Sequence, residues 1–180
     1  MTSFTNRILR AIRLNPALYE EVEADRTALG QAMGVVILSS LAAGIGSMQR
    51  IGAGGLLMGT LSALLGWAAW AGIIYYIGTR LLPEPQTRAD YGELLRTIGF
   101  ASAPGLIRIL GFLPGLMGIV FLVAGIWMLL ATIIAVRQAL DYTSTARAVG
   151  VCLIGWLVQL LIMALIFAVI GVPIPQGVGG

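Results

Sequence analysis

The sequence has no histidine and no lysine, one cysteine, and only 11% charged residues in a chain of 180. Each scarcity closes a class of function. Without histidine there is no imidazole general base, no Ser-His-Asp site and no histidine metal ligand. Cys152 stands alone inside an apolar run, so it forms no internal disulfide, and apolar surroundings keep it a thiol. Gly52-Ala53-Gly54-Gly55 lacks the lysine and the strand context of a phosphate loop. What is abundant is apolar: 58% of residues are hydrophobic and the mean hydropathy is +0.94. A soluble domain carries about a quarter charged residues. Here the apolar surface exceeds what one soluble core could hide, and runs of roughly 18 or more apolar residues mark an integral membrane protein.

Five spans are expected, at about Leu29–Ser47, Gly54–Thr79, Leu95–Leu113, Leu116–Val136 and Ala146–Val172. The fold class is therefore all-α, with 1–28 an amphipathic interfacial segment, 29–172 the membrane domain and 173–180 a short external tail. Orientation follows from arginine. With the amino terminus inside, Arg7, Arg10, Arg13, Arg26, Arg80, Arg88, Arg96, Arg137 and Arg147 are cytoplasmic, nine against Arg50 alone outside. Arg108 falls within the third span near its outer end, where a long side chain can snorkel to the interface. The first residues lack the apolar core and cleavage site of a signal peptide, so the amino terminus is expected to be retained and cytoplasmic.

Phe4, Ile8, Ala11 and Ile12 form an apolar stripe, with Arg7, Arg10 and Arg13 off it. This is the pattern of a basic amphipathic helix on an anionic leaflet, and makes those arginines candidate lipid contacts. Asn15-Pro16 restarts the chain as an acidic helix, Asn15 as cap and Pro16 in the first helical position. Thr87 with Asp90 resembles a capping box before the third span, and Thr143 or Ser144 can cap the fifth. In the second span Gly55, Gly59, Ala63 and Gly66 recur at spacings that let helix backbones pack closely, within the chain or against a second helix. Gln159 is expected to make one interhelical hydrogen bond. Trp67, Trp70, Trp127 and Trp156 fall within spans, away from the ends that anchoring tryptophans occupy. No span so drawn holds Asp, Glu, Lys or His, which argues against a proton-driven carrier. Glu20, Glu21, Asp25, Glu84, Asp90 and Glu93 could converge on a metal, but charged faces of solvated helices are the plainer reading.

Gly99-Phe100-Ala101-Ser102-Ala103-Pro104 opens the third span. It resembles the G-[YF]-x-x-x-P pattern of the Ypt-interacting protein (YIP) family. An N-P-x-x-[YF] stretch at Asn15, Pro16 and Tyr19, five spans, and Arg147-Ala148 entering the last span fit the same family, from about Phe4 to Ile170. The family motif residues are then Gly99, Phe100 and Pro104. The D-L-Y-G-P element of eukaryotic members is not present; the region reads Ala17-Leu18-Tyr19-Glu20-Glu21, so binding to Rab-type GTPases does not carry over. The resemblance, with an all-arginine basic complement, implies a bacterial-type member in the inner membrane, with no enzyme activity, no cofactor and no nucleic-acid partner. It is expected to bind other membrane proteins or a second copy, or to organise lipid, with Arg108 as candidate lipid or partner contact. The alternative is a small transporter, channel or lipid-translocating protein, suggested by the glycines and prolines that break the third span.

Overall fold

The structure is a computed structural model that describes residues 3–48 and 54–170. Arg50 and the expected tail 173–180 lie outside the described residues. Two short helices, α1 (Phe4–Ile12) and α2 (Pro16–Ala24), precede five longer ones. These are α3 (Leu29–Gly46), α4 (Gly54–Tyr76), α5 (Tyr91–Ala101), α6 (Met117–Ala139) and α7 (Thr145–Ile170). A π-turn, Ile77–Leu81, ends α4, and a 3₁₀ segment, Ala103–Phe112, continues α5. Five stretches are long and apolar enough to cross a bilayer: Arg26–Gly46, Gly55–Leu81, Tyr91–Phe112, Met117–Ala139 and Thr145–Ile166. The chain is an all-α integral membrane protein of five spans.

The third span is the axis of the bundle. Buried residues make up 61% of its apolar window, against 33% or less in the others. Pro104 explains its change of pitch. Proline has no N–H to donate and disfavours helical backbone in the residue before it. The α-helix stops at Ala101, and the chain resumes as 3₁₀, with Ser102 N–H bonded to Gly99 O and Gly105 N–H to Ser102 O. Glycine lets this segment lie against α3. A Cβ on Gly99 would stand 2.7 Å from Ala32 Cβ, and one on Gly105 would run into Ser39 Oγ. Gly115, at φ 79°, makes the turn into α6 in the left-handed conformation glycine accepts without strain.

Local signals set the helix starts. Ser3 and Asn15 cap α1 and α2, and Pro16 takes the first position of α2. The capping box of α5 is Asp90 with Glu93, not Thr87 with Asp90. Thr87 Oγ1 instead donates to Leu140 O and accepts from Glu84 N–H, joining the loop before α5 to the end of α6. Thr143 also leaves its capping role, donating from N and Oγ1 to Glu84 Oε2.

All eight carboxylate side chains fall in residues 20–25, 84–93 and 141. The structure gathers these segments at the end of the bundle that carries α1 and α2. Glu20 accepts from Gln138 at the end of α6. Glu84 pairs with Arg147 at 3.0 Å. Glu23, Glu93 and Asp141 line one cleft of 540 Å³.

Candidate functional site

The charged end is closed on itself. Arg7 is only 6% exposed; its Nε donates to Glu21 at 2.9 Å, Nη2 to Asp25 at 2.7 Å and Nη1 to Gln31 at 2.9 Å. Arg10 pairs with the other oxygen of Glu21. These two arginines, expected to face anionic lipid, instead bind α1 to α2 and to the first turn of α3. The acidic helix is their nearer anion, and each carboxylate–guanidinium bond is charge-assisted. Hydrogen bonds from Thr27 and Arg7 hold the Asp25 carboxyl down at about 2. Arg13 is exposed and has no carboxylate partner among the described residues. α1 is amphipathic as its stripe requires, but that stripe packs on the protein: Phe4, Ile8 and Ile12 lie against a core containing Leu18, Tyr19, Phe100 and Ala135.

Arg96 completes this end. It is 5% exposed, and its guanidinium donates to Val22 O at 2.9 Å and to Glu23 O. Those are carbonyls of the last turn of α2, which have no intrahelical partner and carry the negative end of the helix dipole. Sequence reasoning counted Arg96 only as a cytoplasmic charge. Its position three residues before Gly99 is the one signal that tied it to the motif. The motif residues themselves are structural: Gly99 lies on Ala32, Phe100 is fully buried, and Pro104 sets the switch to 3₁₀. Tyr19 of the N-P-x-x-Y stretch is also fully buried, and burial holds its phenol above the ordinary value.

The interior contrasts with this end. Arg108 is partly buried. Its guanidinium carbon stands 5.6 Å from the centre of the Phe121 ring, a cation–π contact. Its Nε is buried and has no hydrogen-bond partner among the described residues. Beside it lies a cavity of 280 Å³ to which all five spans contribute: Ser39 from α3, Gly66 and Trp70 from α4, Ser102 and Arg108 from the third span, Thr132 from α6 and Gln159 from α7. A smaller cavity of 170 Å³ shares Trp70, Arg108, Met128 and Thr132 and adds Cys152 and Trp156. Gln159 has no described interhelical hydrogen bond and faces this space.

Small residues make the room. Among the described residues, nothing beyond the adjoining turns of its own helix stands within 4 Å of where a Cβ on Gly59 or Gly66 would lie, so neither glycine is a point of close helix contact there. The third span carries the close glycine contacts, at Gly99 and Gly105, while Ala63 and Gly66 line the cavity. Two of the tryptophans turn their indole N–H to backbone: Trp67 donates to Leu95 O at 3.0 Å and Trp127 to Ile12 O at 2.9 Å. Trp70 is one of the mid-span tryptophans already noted; Ser39 and Thr132 are lining residues that sequence reasoning did not single out, because a lone serine or threonine in a span is ordinarily bonded back to its own helix. Thr132 Oγ1 is indeed bonded to Met128 O.

Fold and cavity define the class: a polytopic helical membrane protein with a polar pocket between its spans. A family model, the Yip1 domain, matches residues 14–167, and the chain belongs to that family. Neither comparison with curated proteins nor comparison with solved structures gives a match.

Proposed function

We propose that this chain is a non-enzymatic protein of a bacterial inner membrane, amino terminus cytoplasmic and carboxyl terminus periplasmic, that organises lipid and binds other membrane proteins. The observation that carries this reading is Arg108. It lines the intramembrane cavity with its Nε unpartnered, while every side-chain carboxylate of the chain lies in segments gathered at the far end. A cation in hydrocarbon is costly unless an anion meets it. The chain supplies none nearby, so the anion comes from outside: a phospholipid phosphate first, the carboxylate of a partner helix second. Serine, threonine and glutamine around the cavity offer hydrogen bonds to the same group.

The test is native mass spectrometry of the full chain from mild detergent, beside its Arg108→Gln and Arg108→Lys variants at equal thermal stability. Retention of phospholipid by the native chain and Arg108→Lys, and its loss from Arg108→Gln, supports the reading. Equal retention by all three overturns it. The second reading, a small transporter or lipid translocator, is favoured by the contribution of all five spans to one polar cavity. Liposomes that show no flux of ions, small solutes or labelled lipid would sink it.

A further inference from the structure

A second, separate groove lies where α1 meets α6. It measures 520 Å³ and is lined by Ile12, Arg13, Leu14, Val123, Ile126, Trp127 and Leu130. Ligand pockets run to about 300–1,000 Å³. The α6 residues recur at i, i+3, i+4 and i+7, one face of a helix. On that face Val123, Ile126 and Leu130 are 45–53% exposed, an unpartnered apolar wall. The other wall is fixed. The Trp127 indole holds Ile12 O at 2.9 Å, and the chain turns sharply at Leu14, which takes φ 56°.

Charge decides what fills it. The groove is apolar except at Arg13, and Arg13 differs from the other two arginines that lie off the stripe. Arg7 and Arg10 are held by Glu21 and Asp25, whereas Arg13 is exposed with no carboxylate partner among the described residues. Arg13 follows Arg10 by three residues, about one turn from the Arg10–Glu21 pair. It therefore sits at the border between the charged end of the bundle and the apolar outer face of α6. A group with a negative head at that border and a long apolar tail below it satisfies both halves.

We infer that this groove holds one acyl chain of an anionic phospholipid, with its phosphate on Arg13. The site is independent of the Arg108 cavity and belongs to the leaflet on the α1 and α2 side. It explains why the short basic helix keeps one arginine outside its carboxylate network: the network docks the helix, and the remaining cation selects the lipid.

The test uses the full chain in phosphatidylcholine vesicles with and without phosphatidylglycerol. Tryptophan quenching by brominated phosphatidylglycerol is compared with quenching by brominated phosphatidylcholine. Variants that retain only Trp127 or only Trp156 separate the groove from the cavity beside Arg108. Trp127 is expected to be quenched preferentially by phosphatidylglycerol, and Trp156 equally by both. Arg13→Gln should lower the preference at Trp127 about fivefold, the worth of one arginine at an anionic surface. Arg13→Lys should keep it, and Ile126→Phe, which fills the groove without adding a second indole, should abolish the phosphatidylglycerol preference at Trp127. Equal quenching of native Trp127 by the two lipids, or an unchanged preference in Arg13→Gln, overturns the inference. Because a retained brominated lipid could act from the other cavity, Arg108→Gln is run in parallel. Its preference at Trp127 stays intact if the groove is the site and falls if the inference is wrong.

Discussion

The second and third spans are both rich in glycine and both apolar, yet they have opposite places in the molecule. In the third span Gly99 and Gly105 lie against Ala32 and Ser39 of α3, where any side chain would collide. In the second, Gly59 and Gly66 face open space within 4 Å. The arginines follow the same division. Arg96, in the third span, is buried on the end of α2, while Arg80, in the second, is exposed with no described partner. The third span is thus the element around which the others are assembled. The second leaves open space at Gly59 and Gly66. Glycine composition alone marks neither role; what matters is which backbone stands opposite.

The largest effect expected from breaking this contrast is at Gly105. Gly105→Val places branched carbons on Ser39 Oγ and within 2.8 Å of Met128 Sδ. Overpacking of a closed site costs about 1–3 kcal/mol or more, since backbone must shift rather than a free side-chain end. The unfolding midpoint in detergent, followed by far-UV circular dichroism, should fall by several degrees or the variant should not be recovered folded. Next in size is Arg96→Gln. It leaves Val22 O and Glu23 O without their donor, at roughly 1–3 kcal/mol for buried groups left unsatisfied. Arg80→Gln, its counterpart, should stay within about 0.5 kcal/mol. Hydrogen exchange should rise across α2 in the first variant and not in the second.

Much of this architecture could be read before any coordinates. Span number, the Asn15-Pro16 restart and the family motif follow from hydropathy and local capping chemistry, which are properties of short windows. The unread parts depend on residues distant in sequence. Arg7 and Arg10 look like lipid contacts until Glu21 and Asp25 are folded back onto them. Gly59 and Gly66 look like a packing seam until the space beside each of them is seen to be open. Arg108 looks like an isolated charge near a span's outer end until the 3₁₀ segment sets it beside Phe121 and the cavity. Pitch changes of this kind are set by Pro104 locally, but their consequence for a side chain several residues on is a matter of three dimensions.

A smaller, pH-dependent effect joins α2 to the third span. Glu23 sits in the cleft with Asp141, Glu93 and Glu20, opposed by Arg96; burial first, then those carboxylates, raises its pKa from 4.5 to about 7. The folded state therefore keeps a proton that the unfolded chain has lost. This contribution favours folding below the unfolded value and is lost as pH climbs to about 7. The unfolding midpoint should decline over that window in the native chain, and the decline should be shallower in Glu23→Gln. An identical slope in the two would remove Glu23 as its source.

The smallest stability change is expected at Gly66, and it sharpens the comparison most. Because nothing stands within 4 Å of its missing Cβ, Gly66→Leu has room for its side chain and should keep stability within about 0.5 kcal/mol. The same side chain would project into the 280 Å³ cavity beside Arg108. Folding and lipid retention should therefore separate: the unfolding midpoint stays, while phospholipid seen by native mass spectrometry falls toward the Arg108→Gln level. A glycine in the third span cannot show such a separation, since there the side chain destroys the packing before it can test the pocket. If Gly66→Leu unfolds the protein, the space beside Gly66 does not accept a leucine side chain. If it folds and keeps its lipid, the phosphate does not lie in this cavity.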